Sequence, residues 1–130
     1  MSRYENLEND IFSVFAAEEW RNENLPAFPA NYKIPEDLTE FVRISILPSL
    51  PGYNIRSISG ILILEIFSPA GVGSSRTYQI ADILDTYLNG RTIGNTQFMD
   101  SVLDILTTDS VNESLTKVKY QISFNYNGVM

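Results

Sequence analysis

Hydrophobic residues recur at three- and four-residue steps over residues 4–20. Tyr4, Leu7, Ile11, Val14 and Phe15 form the stripe, with Glu5, Glu8, Asp10 and Glu18 elsewhere on the wheel. That spacing predicts a first helix, and Ser2 with Glu5 has the spacing of a capping box. Phe12 and Trp20 fall off the stripe. They either cover a neighbouring strand, as large apolar residues usually do, or make a subunit contact, since aromatics are enriched in interface cores. Over 40–47 the period changes to two: Val42, Ile44 and Ile46 alternate with Arg43 and Ser45, the mark of a half-buried strand. Residues 55–67 read as one long strand with a bulge or bend at Gly60. Leu62, Leu64 and Ile66 share one face, and Ile61, Ile63 and Glu65 the other. Both faces are apolar near the middle, so this strand is expected to be central and covered on both sides, by helix or by another subunit.

A second helix is expected over 75–88, with Ile80, Ile83, Leu84, Tyr87 and Leu88 inward and Gly90 in a left-handed position beyond its end. Residues 96–107 read as a third strand, with Phe98, Val102 and Leu106 on one side and Met99, Leu103 and Ile105 on the other. A helix also fits the spacing of Phe98, Val102 and Ile105. The last strand alternates cleanly: Val118, Tyr120, Ile122, Phe124 and Tyr126 against Lys117, Lys119, Gln121, Ser123 and Asn125. Residues 21–38, with Pro26, Pro29 and Pro35, form a long connector, and loops of that length are usually functional. Leu25, Phe28 and Tyr32 predict that it is pinned to a surface. The order helix, strand, strand, helix, strand, strand predicts an α+β fold: a mostly antiparallel sheet of four to five strands with two helices packed on it, in one domain spanning 1–130.

Composition narrows the chemistry. The 130 residues include no histidine and no cysteine. The usual zinc sets and the Ser-His-Asp and Cys-His arrangements are therefore excluded, and no disulfide framework exists. A non-enzymatic protein with no catalytic residue, cofactor or metal is the expectation. Net charge is −7, and the excess sits at the front: residues 1–40 hold nine acids and three bases, residues 41–130 seven and six. Such a chain is a poor sequence-independent nucleic-acid binder, because that binding rests on Lys and Arg displacing counterions. The amino terminus lacks the basic and apolar regions of a signal peptide, and no apolar run approaches the ~20 residues that span a bilayer. A soluble protein made in the cytoplasm is expected.

The remaining motifs have plain readings beside their chemical ones. Gly71-Val72-Gly73-Ser74-Ser75 sits where phosphate loops sit, but lacks the lysine of one fingerprint and the third glycine of the other. It reads as a capped turn. Asp82 and Asp85 lie three apart on the second helix, either a paired-carboxylate site for Mg²⁺ or acid–base work, or a solvated face. Asp100 and Asp104 share a strand face, either simply wet or lining an opening. Tyr120, Phe124 and Tyr126 read as core, or as an aromatic interface.

One resemblance spans nearly the whole chain. It is carried by Asn31-Tyr32-Lys33-Ile34-Pro35 leading into Phe41 to Ile46, by Gly60-Ile61-Leu62-Ile63-Leu64-Glu65-Ile66-Phe67-Ser68-Pro69-Ala70-Gly71-Val72-Gly73, by Ile80-Ala81-Asp82-Ile83-Leu84, and by the closing aromatic strand. This pattern is similar to the tail terminator proteins of long, non-contractile phage tails, the lambda tail protein U-like family. The resemblance implies a virion protein that forms a homo-oligomeric ring, a hexamer, on the head-proximal end of the tail tube. Its implied partners are the tail tube protein and the head completion protein, with DNA sliding through unbound. A closed ring would consume the sheet edges and patches that otherwise recruit another tube layer. Arg43, Arg56 and Arg76 are the expected contacts, facing the acidic first helix of a neighbour, with Phe12 and Trp20 beside them. Asp100 and Asp104 are the expected lumen-facing acids. Two other classes stay open: a small monomeric or dimeric binding module, of the head–tail connector or another interaction domain, using the 21–38 loop, and a carboxylate enzyme using Asp82 and Asp85.

Overall fold

The stripe of Leu7, Ile11 and Val14 places all three side chains in the core, so residues Arg3–Ala16 form helix α1. The helix does not continue to Trp20. Ala17 takes an extended conformation (φ −70°, ψ 152°) and a separate turn, α2 (Glu18–Arg21), follows. The cause is packing, not propensity. On an unbroken helix Trp20 would point about 120° away from Val14, into solvent. The break turns its indole inward, where it is 3% exposed and meets Phe15 and Tyr87 edge-on, at ring separations of 4.8 and 5.4 Å. The computed structural model describes residues 3–35, 37–51, 57–69, 75–104, 107–108 and 115–128.

The strands are β1 (Ala27–Pro29), β2 (Phe41–Pro51), β3 (Ile58–Pro69), β4 (Thr92–Ile93), β5 (Thr96–Leu103), β6 (Thr107–Thr108) and β7 (Leu115–Tyr126). Helix α3 (Ser75–Leu88) lies between β3 and β4. Six strands follow one path, β1-β2-β3-β7-β5-β4, and β6 pairs with β7 as a seventh. β1 runs parallel to β2, and the other pairings are antiparallel. The expected sheet of four to five mostly antiparallel strands with two helices is thereby corrected to a larger mixed sheet with three helices. The extra elements come from short segments. β1 is three residues inside the proline-rich connector, with Pro29 tolerated because the strand is an edge. β4 is half of a hairpin turned by Gly94 (φ +58°) and Asn95, a glycine-first turn of the kind two-residue hairpins need.

β3 and β7 are the central pair, in unbroken register from Ile58↔Tyr126 to Pro69↔Leu115. Their inward rows, Leu62, Leu64 and Ile66 with Tyr120, Ile122 and Phe124, are sealed by α1 and by Ile80, Leu84 and Leu88 of α3. Gly60 is not itself a bulge; it faces one. The β2–β3 register shifts between Leu47 and Leu50, so two residues of β2, Pro48 and Ser49, oppose one of β3, Gly60. That bulge presses the Leu47 carbonyl oxygen onto Gly60, with Pro48 Cα and Phe124 Cζ each 2.9 Å from where a Cβ would sit.

A second bulge interrupts β5 between Phe98 and Ser101. It reverses the alternation, as any one-residue slip must. Phe98 is buried, whereas Val102, expected on the same side, is 66% exposed. Leu106 lies outside the described residues.

Candidate interaction surfaces

The helices cover one face of the sheet. The opposite face carries Arg43, Ser45 and Leu47 of β2, Ile61, Ile63, Glu65 and Phe67 of β3, and the odd-numbered residues of β7 from Lys117 to Asn125. Its two ends differ. At one end Phe41 and Phe67 stack at 4.5 Å and, with Leu115, are buried under Phe28, Ile34 and Leu38. The connector therefore folds over the sheet as a strap, as its apolar residues predict. Phe28 stacks on Tyr32 at 5.2 Å, and the strap's far end is clamped to α3. There Arg76 donates two hydrogen bonds to Glu40, Nε to Oε2 at 2.9 Å and Nη2 to Oε1 at 2.6 Å. Hydrogen bonding to Arg76 holds the Glu40 carboxyl below the usual carboxylate range, against a burial effect in the other direction.

A charged row crosses the face next to the strap. Arg43, Glu65 and Lys119 stand side by side on β2, β3 and β7. Arg43 Nε donates to Glu65 Oε1 at 2.9 Å, Lys117 Nζ lies 3.4 Å from Glu65 Oε2, and the Arg43 guanidinium sits over Phe67. Burial alone would raise the Glu65 carboxyl; the two cations outweigh it and hold it low. Asp104 lies at the margin, its backbone N–H donating to the Lys119 carbonyl. Three bases and two acids thus gather on a face of a strongly acidic chain.

Beyond the row the face is partly apolar and left bare by the described residues. Leu47 is 46% exposed, Val102 is 66% exposed, and Ile61 and Ile63 lie half-buried between them. Register places Ser45, Ile63, Gln121 and Val102 in one line and Leu47, Ile61 and Ser123 in the next. The helical side has the opposite character. Its first 23 residues carry six acids and two bases. Tyr4, Glu8 and Phe12 lie at four-residue steps along α1, with Tyr4 and Glu8 exposed and Phe12 half-buried against the core. A groove of about 500 Å³ runs beside α1, lined by Val14, Ala17, Tyr87, Arg91 and Ile93 among others.

Several residues singled out by sequence have internal roles. Arg43 and Arg76 are each ion-paired within the protomer. Arg56 and the glycine-rich turn over 70–74 lie outside the described residues. Trp20 is core, so it offers almost no surface to a neighbour. Asp82 and Asp85 have different surroundings. Asp82 is exposed, while Asp85 Oδ1 accepts hydrogen bonds from Tyr120 OH and Ser101 Oγ, each at 2.6 Å. Burial, with Asp85 beside it, pushes the Tyr120 phenol far above its ordinary range. Asp100 and Asp104 are both exposed but sit on either side of the Ser101 register change. Asp10 ties α1 to the β4–β5 turn, accepting from Asn95 N–H at 3.0 Å and Thr96 Oγ1 at 2.9 Å. Sequence reasoning missed Lys117, Lys119, Leu47 and Val102 as surface features, because their grouping depends on cross-strand register. No group of metal-binding side chains occurs among the described residues.

The fold has known counterparts. One solved chain, described without an activity, superposes with a TM-score of 0.67 at 17% sequence identity, covering 95% of this chain and 97% of that one. A chain from the virion of a native gene transfer agent particle superposes with a TM-score of 0.53 at 9% identity, covering 98% of this chain and 92% of its own. At such identities the likeness is one of fold. No protein family model matches the chain, and no curated protein sequence matches it significantly. No helix among the described residues is long and apolar enough to cross a membrane.

Proposed function

We propose that this chain is a structural virion protein of a tailed, phage-like particle, and that it acts as a tail terminator. In this reading it forms a ring, a hexamer, on the head-proximal end of the tail tube. The ring stops tube polymerisation and offers the joining surface for the head completion protein, while DNA passes through without specific binding. Its role is geometric, not catalytic. The observation that supports the reading most is the fold shared, end to end, with a chain of a gene transfer agent virion. The sequence pattern of strand, Pro-x-Gly turn and helix points the same way. So does the sheet face that the protomer's own helices leave bare.

The test is deletion of the gene from the particle that encodes it, with electron microscopy of the lysate. Overlong tails lacking heads are the expected product. Tails of normal length joined to heads would overturn the reading. Headless tails of normal length would instead point to a head–tail adaptor.

A further inference from the structure

Resting on the ring reading, we propose that neighbouring copies meet through two unlike surfaces: the bare sheet face of one protomer receives the acidic outer side of helix α1 of the next. Chemistry and position both argue for a second copy as the occupant. The sheet face offers apolar side chains, Leu47, Ile63 and Val102, beside the cations of the Arg43–Glu65–Lys119 row. Helix α1 offers the matching set, with Tyr4 and Phe12 flanking Glu8 at four-residue spacing. Most of the chain's excess acid lies within its first 40 residues, so another copy of the same chain carries an acidic helix that complements the cationic row. Complementary potentials of this kind set register and exclude wrong partners.

Position then constrains the symmetry. The helices pack on one side of the sheet and the bare face is on the other, so the two patches look in opposite directions. Patches on opposite sides cannot pair reciprocally in one contact, so the contact is not two-fold. It leaves one patch of each kind open at either end and continues to a further copy, giving a closed ring where the rotation closes. The Phe41–Phe67–Leu115 end is excluded from the contact, because the strap already covers it.

The natural absence of cysteine makes the test direct. Glu8→Cys and Gln121→Cys in one chain, oxidised at the concentration at which the wild type self-associates, should give a disulfide ladder ending at the ring. Either cysteine alone should give no ladder. In parallel, Lys119→Glu should weaken self-association by roughly tenfold, and Glu8→Lys in the same chain should restore it. Rings by light scattering without the ladder would overturn this assignment and leave the ring reading standing. Efficient dimers from Gln121→Cys alone would also overturn it, since they mean face-to-face pairing. A wild type that stays monomeric, no ladder from the double-cysteine chain, and tails of normal length in the deletion would together overturn both.

Discussion

Replacing Asp85 by alanine removes the acceptor that ties α3 to the sheet. Its Oδ1 takes two hydrogen bonds at 2.6 Å, one from the fully buried Tyr120 hydroxyl and one from Ser101. Hydrogen bonds to a charged group contribute about 1.5–3 kcal/mol each, and a buried hydroxyl left without an acceptor costs about 1–3 kcal/mol. Asp85 is half-exposed, so water can serve Ser101 but not Tyr120. Asp85→Ala should therefore cost about 3 kcal/mol. Tyr120→Phe, which leaves the carboxylate its Ser101 partner, should cost about 1.5 kcal/mol. The double variant should be no worse than Asp85→Ala alone, a coupling of about 1.5 kcal/mol. Urea unfolding followed by the fluorescence of Trp20, the single tryptophan, reads all three. An Asp85→Ala loss below about 0.5 kcal/mol, or strict additivity in the double variant, would refute the tie and return Asp85 to a solvated face.

Gly60→Ala should destabilise by about 2–3 kcal/mol, because the new methyl meets the Leu47 carbonyl and the Phe124 ring tip; a neutral result in urea unfolding would mean the β2 bulge relaxes freely. Trp20→Ala should cost about 3–5 kcal/mol in the monomer, measured by thermal melting at concentrations too low for self-association, whereas a tryptophan used only between subunits would leave that melting point unchanged. Glu65 is held below its free value of 4.5 in the folded protein, so its pairing stabilises fully above that pH and fades as pH falls through the lower folded value. Urea midpoints at pH 7 and pH 3 should therefore converge more in Glu65→Gln than in the wild type. An equal acid loss in both would show that Arg43 and Lys117 contribute nothing through this carboxylate.

Period was enough where an element buries one whole face. β7 alternates without interruption, and Val118, Tyr120, Ile122, Phe124 and Tyr126 are all buried. α3 starts and stops where its stripe and Gly90 (φ +70°) place it. Period failed where tertiary packing re-aims the chain. Nothing in Ala16-Ala17-Glu18 signals a break; only the need to bury Trp20 does. Phe98 and Val102 look like same-face residues because a bulge has no strong composition mark. β1 is hidden by its prolines, whereas Gly94-Asn95 carries a readable hairpin signal. The surfaces were less legible than the core. Arg43 and Arg76 read from sequence as contacts to a neighbour's first helix, because the acids they pair with inside the chain, Glu65 and Glu40, lie 22 and 36 residues away. Only the strand register brings Lys117 and Lys119 into the same group.

The register also bears on how such a protomer would assemble. The edges are only partly closed, with β1 beside β2 at Val42, Arg43 and Ile44 and β4 beside β5 at Thr96 and Gln97. β1 at one edge has three residues and ends in Pro29, and β4 at the other has two. Short edges and proline are the usual means of blocking strand addition. The faces are provided for differently. A solvated outer face would be polar on every strand, and β7 meets that condition with Lys119, Gln121, Ser123 and Asn125. Its neighbours do not: β2 contributes Leu47, β3 contributes Ile61 and Ile63, and the β5 bulge turns Val102 outward onto the same surface. The chain seals its own strap end with Phe28, Ile34 and Leu38 and stops at the charged row. What lies past that row is apolar surface with a cationic border and no cover from the protomer's described residues. Assembly through the bare face is the arrangement this distribution favours.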